Sequence, residues 1–140
     1  MLSRSISGSL WWLMALVALT FVAAATGGAV LYYQARSAAK IQAEAITLGD
    51  VARGETAMAR YGCAACHAIP GISGANGQVG PDLAEVSQRR TIAGSLANEP
   101  ETMVRWLMHP QALIPGTGMP EQGVTERDAR DIAAYLYAES

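Results

Sequence analysis

No charged residue occurs between Arg4 and Arg36, and the stretch Leu10 to Tyr33 within that interval is almost wholly apolar. At ~1.5 Å per residue such a run crosses the ~30 Å hydrocarbon core of a bilayer as a helix. Trp11 and Trp12 stand at one end and Tyr32 and Tyr33 at the other, about 21 residues or ~32 Å apart on a helix, a spacing that suits rings favouring the two interfaces. The competing reading is a cleavable signal peptide, because Leu10 to Val22 has the length of an h-region and Ala23-Ala24-Ala25 offers small residues for cleavage. Against it, the apolar run continues through Val30, Leu31, Tyr32 and Tyr33, where a cleaved chain would have turned polar. Arg4 and the terminal amine lie on one side of the run and Arg36 and Lys40 on the other, so charge alone sets no orientation. Thr20, Ala24, Gly28 and Leu31 share one helical face, and Ala24-x-x-x-Gly28 is a small-xxx-small spacing that admits a second helix, although Ala and Gly are also common in membrane helices generally.

Beyond Tyr33 the pattern changes. Gln34 to Ala45 is rich in Ala, with Arg36, Lys40 and Glu44 spaced four apart, which predicts a helical stalk. Thr47-Leu48-Gly49-Asp50 breaks that pattern and leaves Asp50 to cap a new helix. The expected organisation is an anchor over residues 1–35, a linker over 36–48 and a domain over 49–140. Within the domain Asp50 to Tyr61 reads as the first helix, with Gly54 small enough for close crossing and Met58 one turn on. Pro100 opens a second helix carrying Met103, Trp106 and Leu107, and Pro110 stops it. Thr125-Glu126-Arg127-Asp128 resembles a capping box opening a last helix, whose apolar face is Ile132, Tyr135 and Leu136. No period-two pattern is convincing, so the predicted class is all-α.

Composition sharpens this picture in two ways. Of 140 residues 51% are hydrophobic and only 16% charged, an excess explained by the N-terminal run rather than by the domain. The remainder, from about Ile46, is small enough that a core of side chains alone is marginal and a disulfide, metal or cofactor usually supplements it. From Ile46 onward seven Arg and no Lys stand against eleven Asp and Glu, a balance of −4, which argues against nucleic acid as a partner.

The candidate chemistry lies in Cys63-Ala64-Ala65-Cys66-His67. Two cysteines two residues apart, followed at once by His, suit covalent attachment of haem: both sulfurs reach one edge of the ring while His67 turns under the iron. Three other readings use the same residues. A thioredoxin-like pair needs a strand before it in an α/β pattern, which is missing here. A zinc site drawing on Cys63, Cys66, His67 and His109 has ligands at adjacent positions, unlike usual zinc spacing. A plain disulfide is the third. Downstream, Gly116-Thr117-Gly118-Met119-Pro120 is a Gly- and Pro-rich loop that suits a thioether delivered from non-helical chain, so Met119 is the expected second axial ligand. Met58, Met103 and Met108 fall in helices as packing residues, and His109 suits a helix end.

These residues together resemble the class I cytochromes c, and in particular the cytochrome modules of aerobic respiratory chains. The resemblance runs from Gly49 to the C-terminus and rests on Gly54 and Met58, the motif Cys63 to His67, Gly80-Pro81-Asp82-Leu83, Trp106-Leu107, Pro110, and Ile114 to Pro120. It implies the class I cytochrome c fold, here preceded by the single N-terminal transmembrane helix read from the apolar run, with the first and last domain helices crossing near one haem c. It further implies that Pro81 accepts a hydrogen bond from His67, that Trp106 lines the Met119 side of the haem, and that Arg89 pairs with a propionate, with Arg90 an equal candidate. Gly118 departs from the pattern, many relatives having Lys there. Haem is attached after export in that family, which implies a cytoplasmic amino terminus and a haem domain on the periplasmic face of a bacterial inner membrane. His and Met ligation leaves no open iron position, so the resemblance implies an electron carrier rather than an enzyme. The expected partners are a quinol-cytochrome c oxidoreductase and a haem-copper terminal oxidase. A haem subunit of a periplasmic dehydrogenase, or a ligand-binding or sensory haem protein, is the alternative.

Overall fold

The computed structural model describes residues 8–139. The chain forms two compact units divided after Arg36; Arg4 and the terminal amine, invoked above for orientation, lie outside the described residues. The first unit is the apolar part of one helix, α1 (Gly8–Thr47). From Gly8 to Arg36 every side chain is exposed, and α1 is the one helix among the described residues long and apolar enough to cross a membrane. Its hydroxyls are turned inward on the helix itself. Thr20 Oγ1 donates to the Val17 carbonyl at 2.8 Å and Thr26 Oγ1 to the Val22 carbonyl at 2.9 Å, so neither leaves a donor unsatisfied in an apolar surrounding.

The second unit begins inside α1. Ala43 and Thr47 are buried, and Glu44 Oε1 accepts the Val51 N–H at 3.1 Å. The second compact unit begins at Ser37, and the last turns of α1 pack and cap within it. The helix ends at Leu48, whose φ of 58° is left-handed. Helix α2 (Val51–Arg60) starts at once, with Asp50 as its cap: Oδ1 accepts the Arg53 N–H at 2.9 Å.

Helix α2 packs against the last helix, α5 (Glu126–Ala138), and this contact is the centre of the domain. Gly54 makes it close, since a Cβ there would overlap the Asp131 carbonyl and the Tyr135 Cβ. Ala57, Met58, Ala129, Ile132 and Ala133 fill the contact, each 1% exposed or less. Full burial of side chains the size of Met58 and Ile132 contributes about 1.5–3 kcal/mol each. Asp131 is buried among them. Its oxygens accept from the Asp50 N–H at 2.7 Å, Arg53 Nε at 2.8 Å and Arg53 Nη2 at 2.9 Å, so the carboxylate is paired and fully hydrogen-bonded.

A third helix, α3 (Pro100–Met108), lies against α5 through Met103, Val104 and Leu107, with Pro100 at its first turn as expected. A four-residue helix, α4 (Pro110–Leu113), follows directly. Two strands of two residues each, β1 (Thr91–Ile92) and β2 (Leu96–Ala97), pair antiparallel in the connection before α3. They are too short to register as alternation, and the fold remains all-α. Tyr137 on α5 donates to Asn98 Oδ1 at 2.7 Å, while Asn98 Nδ2 bonds the Val86 and Arg89 carbonyls. Burial pushes the Tyr137 hydroxyl up to about 12, so it remains a donor that pins this connection to the core.

Candidate functional site

The Cys63 to His67 segment issues from the end of α2. Tyr61 closes that helix, Gly62 turns the chain with φ 69°, and Cys63–Ala65 forms a 3₁₀ turn. The Cys63 carbonyl accepts from the N–H of Cys66 at 3.2 Å and of His67 at 3.0 Å. Both thiols and the imidazole are thus delivered by one short turn rooted in the buried α2–α5 contact. Cys63 and Cys66 are free and half-buried, and burial pushes the Cys63 thiol up. They are not joined as the disulfide reading required.

The loop after the motif folds back on it. Gly77 donates to the His67 carbonyl at 3.2 Å, Gly80 to the Cys66 carbonyl at 2.8 Å and Leu83 to the Ala68 carbonyl at 2.9 Å. A Cβ on Gly80 would fall on the His67 ring, so the backbone can approach the imidazole only because position 80 has no side chain. His67 Nδ1 lies 2.7 Å from the Pro81 carbonyl oxygen. A carbonyl only accepts, so Nδ1 is the donor, and Nε2 is the ring nitrogen left to face a metal.

Arg89 has partners of its own: its Nη2 donates to the Asp82 and Ala84 carbonyls at 2.6 Å each. It thereby braces the loop that presents Pro81. Arg90 is exposed. Trp106 and Met119 are half-buried and rest on the same core as Cys63, Leu83 and Met108. Met58 and Met103, at 1% and 4% exposure, are packing residues. His109 caps the end of α3, with Nδ1 3.9 Å from Glu121 Oε2.

One residue of this region had no part in the reading of the sequence. Gln111, on α4, bonds the backbone of Gly116, Thr117 and Met119 through its side-chain amide. A polar side chain directly after Pro110 and ahead of a Gly-rich loop was the available signal.

The donor set decides what the site can hold. Among the described residues no group of three or more His, Cys, Asp and Glu is arranged to bind a metal ion, so the four zinc candidates do not converge. One imidazole nitrogen and one thioether suit an iron that brings four ring nitrogens with it, two adjacent thiols suit attachment of that ring, and half-buried apolar side chains suit its faces. The residues present fit haem c.

Comparison with known proteins agrees. The family model for cytochrome c matches residues 51–138. Over 75 residues, 53% of this chain, the sequence is 36% identical to cytochrome c oxidase subunit 2 of Alkalihalophilus pseudofirmus; these are 21% of that protein, so the chain spans about a fifth of its length. No solved structure matches. With more than half of its residues covered, from α2 through the thiols and the Met119 loop to α5, the chain belongs to the cytochrome c family, whose haem c domain transfers electrons.

Proposed function

We propose that the chain carries one haem c, bonded to Cys63 and Cys66 and ligated by His67 and Met119, and passes electrons from a quinol-oxidising complex to a haem-copper terminal oxidase. The observation that carries this reading is the Nδ1 contact of His67 with the Pro81 carbonyl, which leaves Nε2 as the ligand. When bound, haem supplies a one-electron couple. The chain's residues do the rest. Pro81 orients His67 and raises its basicity, Arg89 steadies the loop bearing Pro81, and Trp106 and Leu83 limit water. Met119 would offer the iron a soft thioether, which would favour the ferrous state and, together with His67, would leave no position for oxygen or peroxide. The likeness to an oxidase subunit supports a terminal oxidase as electron acceptor.

Helix α1 holds the domain at a membrane, amino terminus in the cytoplasm and domain on the periplasmic side, as tethered carrier or fixed subunit. Its face of Thr20, Ala24 and Gly28 is where a transmembrane partner packs; a Cβ on Gly28 meets nothing within 4 Å. The test is carbon monoxide added to the reduced native protein, followed by reoxidation with a haem-copper oxidase. An unchanged spectrum and rapid reoxidation are expected. Ready binding of carbon monoxide would mean an open iron and a ligand-binding role.

A further inference from the structure

The side-chain amide of Gln111 meets three backbone groups of the loop that bears Met119. Its Oε1 accepts from the Gly116 N–H at 3.1 Å, and its Nε2 donates to the Thr117 carbonyl at 2.8 Å and the Met119 carbonyl at 2.7 Å. A primary amide owns two N–H groups, and here both are spent on the loop. The Gln111 main chain is engaged as well: its N–H donates to Glu121 Oε1 at 3.1 Å, two residues past Met119. The segment is therefore fastened to one residue of α4 on both sides of Met119. Gln111 itself is set firmly, because α4 follows α3 without a loop and Pro110 is buried.

We propose that Gln111 is a positioning residue for the axial sulfur: it holds the Met119 loop closed and so sets how readily Met119 leaves the iron. This rests on the reading of Met119 as an axial ligand. An external ligand that takes the place of Met119 binds only the open loop, so its apparent affinity is its intrinsic affinity multiplied by the open fraction. Losing two or three net hydrogen bonds raises that fraction roughly 10- to 100-fold. General loss of folding stability does not produce this effect well below the melting temperature.

The experiment titrates imidazole into the full-length ferric haem protein in detergent and follows the charge-transfer band from methionine sulfur to ferric iron. Met119→Ala is expected to lose the band before any imidazole is added and to bind imidazole more tightly than the parent. Gln111→Leu and Gln111→Glu are expected to keep the band in the absence of imidazole and to bind imidazole about 30-fold more tightly than the parent. Glu has the shape of Gln but turns an acceptor toward the Thr117 and Met119 carbonyls, so it separates hydrogen bonding from packing. Parent-like affinity in Gln111→Glu overturns the proposal, as does parent-like affinity in Gln111→Leu. A Met119→Ala protein that keeps both the band and the parent affinity overturns the axial reading, and this proposal with it.

Discussion

Gly80 shows how much one missing methyl group decides. A Cβ there would occupy the space of the His67 ring, and the ring has little freedom because its Nδ1 is bonded to Pro81 at 2.7 Å. Gly80→Ala is expected to destabilise the haem protein by about 1–3 kcal/mol, the usual cost of overpacking, and to weaken the His67–Pro81 bond. Gly118 is the control: a Cβ there meets nothing within 4 Å, so Gly118→Ala should lie within about 0.5 kcal/mol of the parent. Guanidinium unfolding of the two variants checks the contrast, and equal losses would remove position 80 from the account of His67. The sequence showed that glycine and the motif, since both belong to a local pattern. It did not show Gln111 or the backbone groups that Arg89 bonds. Their partners are backbone carbonyls, which every residue has, and only the path of the loops makes particular ones available.

At the scale of elements, the α2–α5 crossing is latched at one corner by Asp128. Its Oδ2 accepts from Tyr61 Oη at 2.8 Å, Thr125 Oγ1 at 2.9 Å and Arg60 Nη1 at 3.3 Å, and the Thr125 hydroxyl in turn caps α5 through the Asp128 N–H. The Tyr61 hydroxyl bond, then that of Thr125, holds the Asp128 carboxyl below the usual carboxylate range. A depressed carboxylate adds stability that is complete above its unfolded value of ~4 and is lost as pH falls through its folded value. Tyr61→Phe is accordingly expected to cost about 1–2 kcal/mol at pH 7, with the gap from the parent narrowing on acidification. Urea unfolding from neutral to acid pH reads this directly, and a gap independent of pH would place the loss in packing instead. Helices α2, α3 and α5 were legible because their caps are local: Asp50, Pro100 and Thr125 all act within a turn of where they stand, whereas Pro110, read only as a stop, also opens the unexpected α4. The buried end of α1 was not, since Ala43 and Thr47 sit in an Ala-rich stretch with no apolar stripe to mark a packed face. Nor were β1 and β2, whose two residues apiece carry no period.

For the whole molecule, the question is how a domain so poor in free positive charge finds its redox partners. Lys40 is the sole lysine of the chain, and it pairs with Glu44 at 3.8 Å. Five of the domain's seven arginines are engaged at home. Arg53 binds Asp131, Arg60 binds Asp128 and Arg130 binds Glu101 and Glu126, while Arg89 and Arg105 bond backbone carbonyls. With so few cations left unpaired on a domain of balance −4, no broad field of positive charge remains. Long-range steering needs such a field, and it weakens steeply as salt shortens the screening length. If α1 anchors the chain as proposed, there is a different route to rapid encounter, because tethering makes the partner's effective concentration high without charge. On the proposed function, electron transfer to a terminal oxidase in native membranes should therefore fall less than about twofold between ~0.05 and ~0.3 M salt. A tenfold or larger fall, the behaviour of charge-steered pairs, would shift docking onto the remaining charged surface and count against the tether as the source of speed.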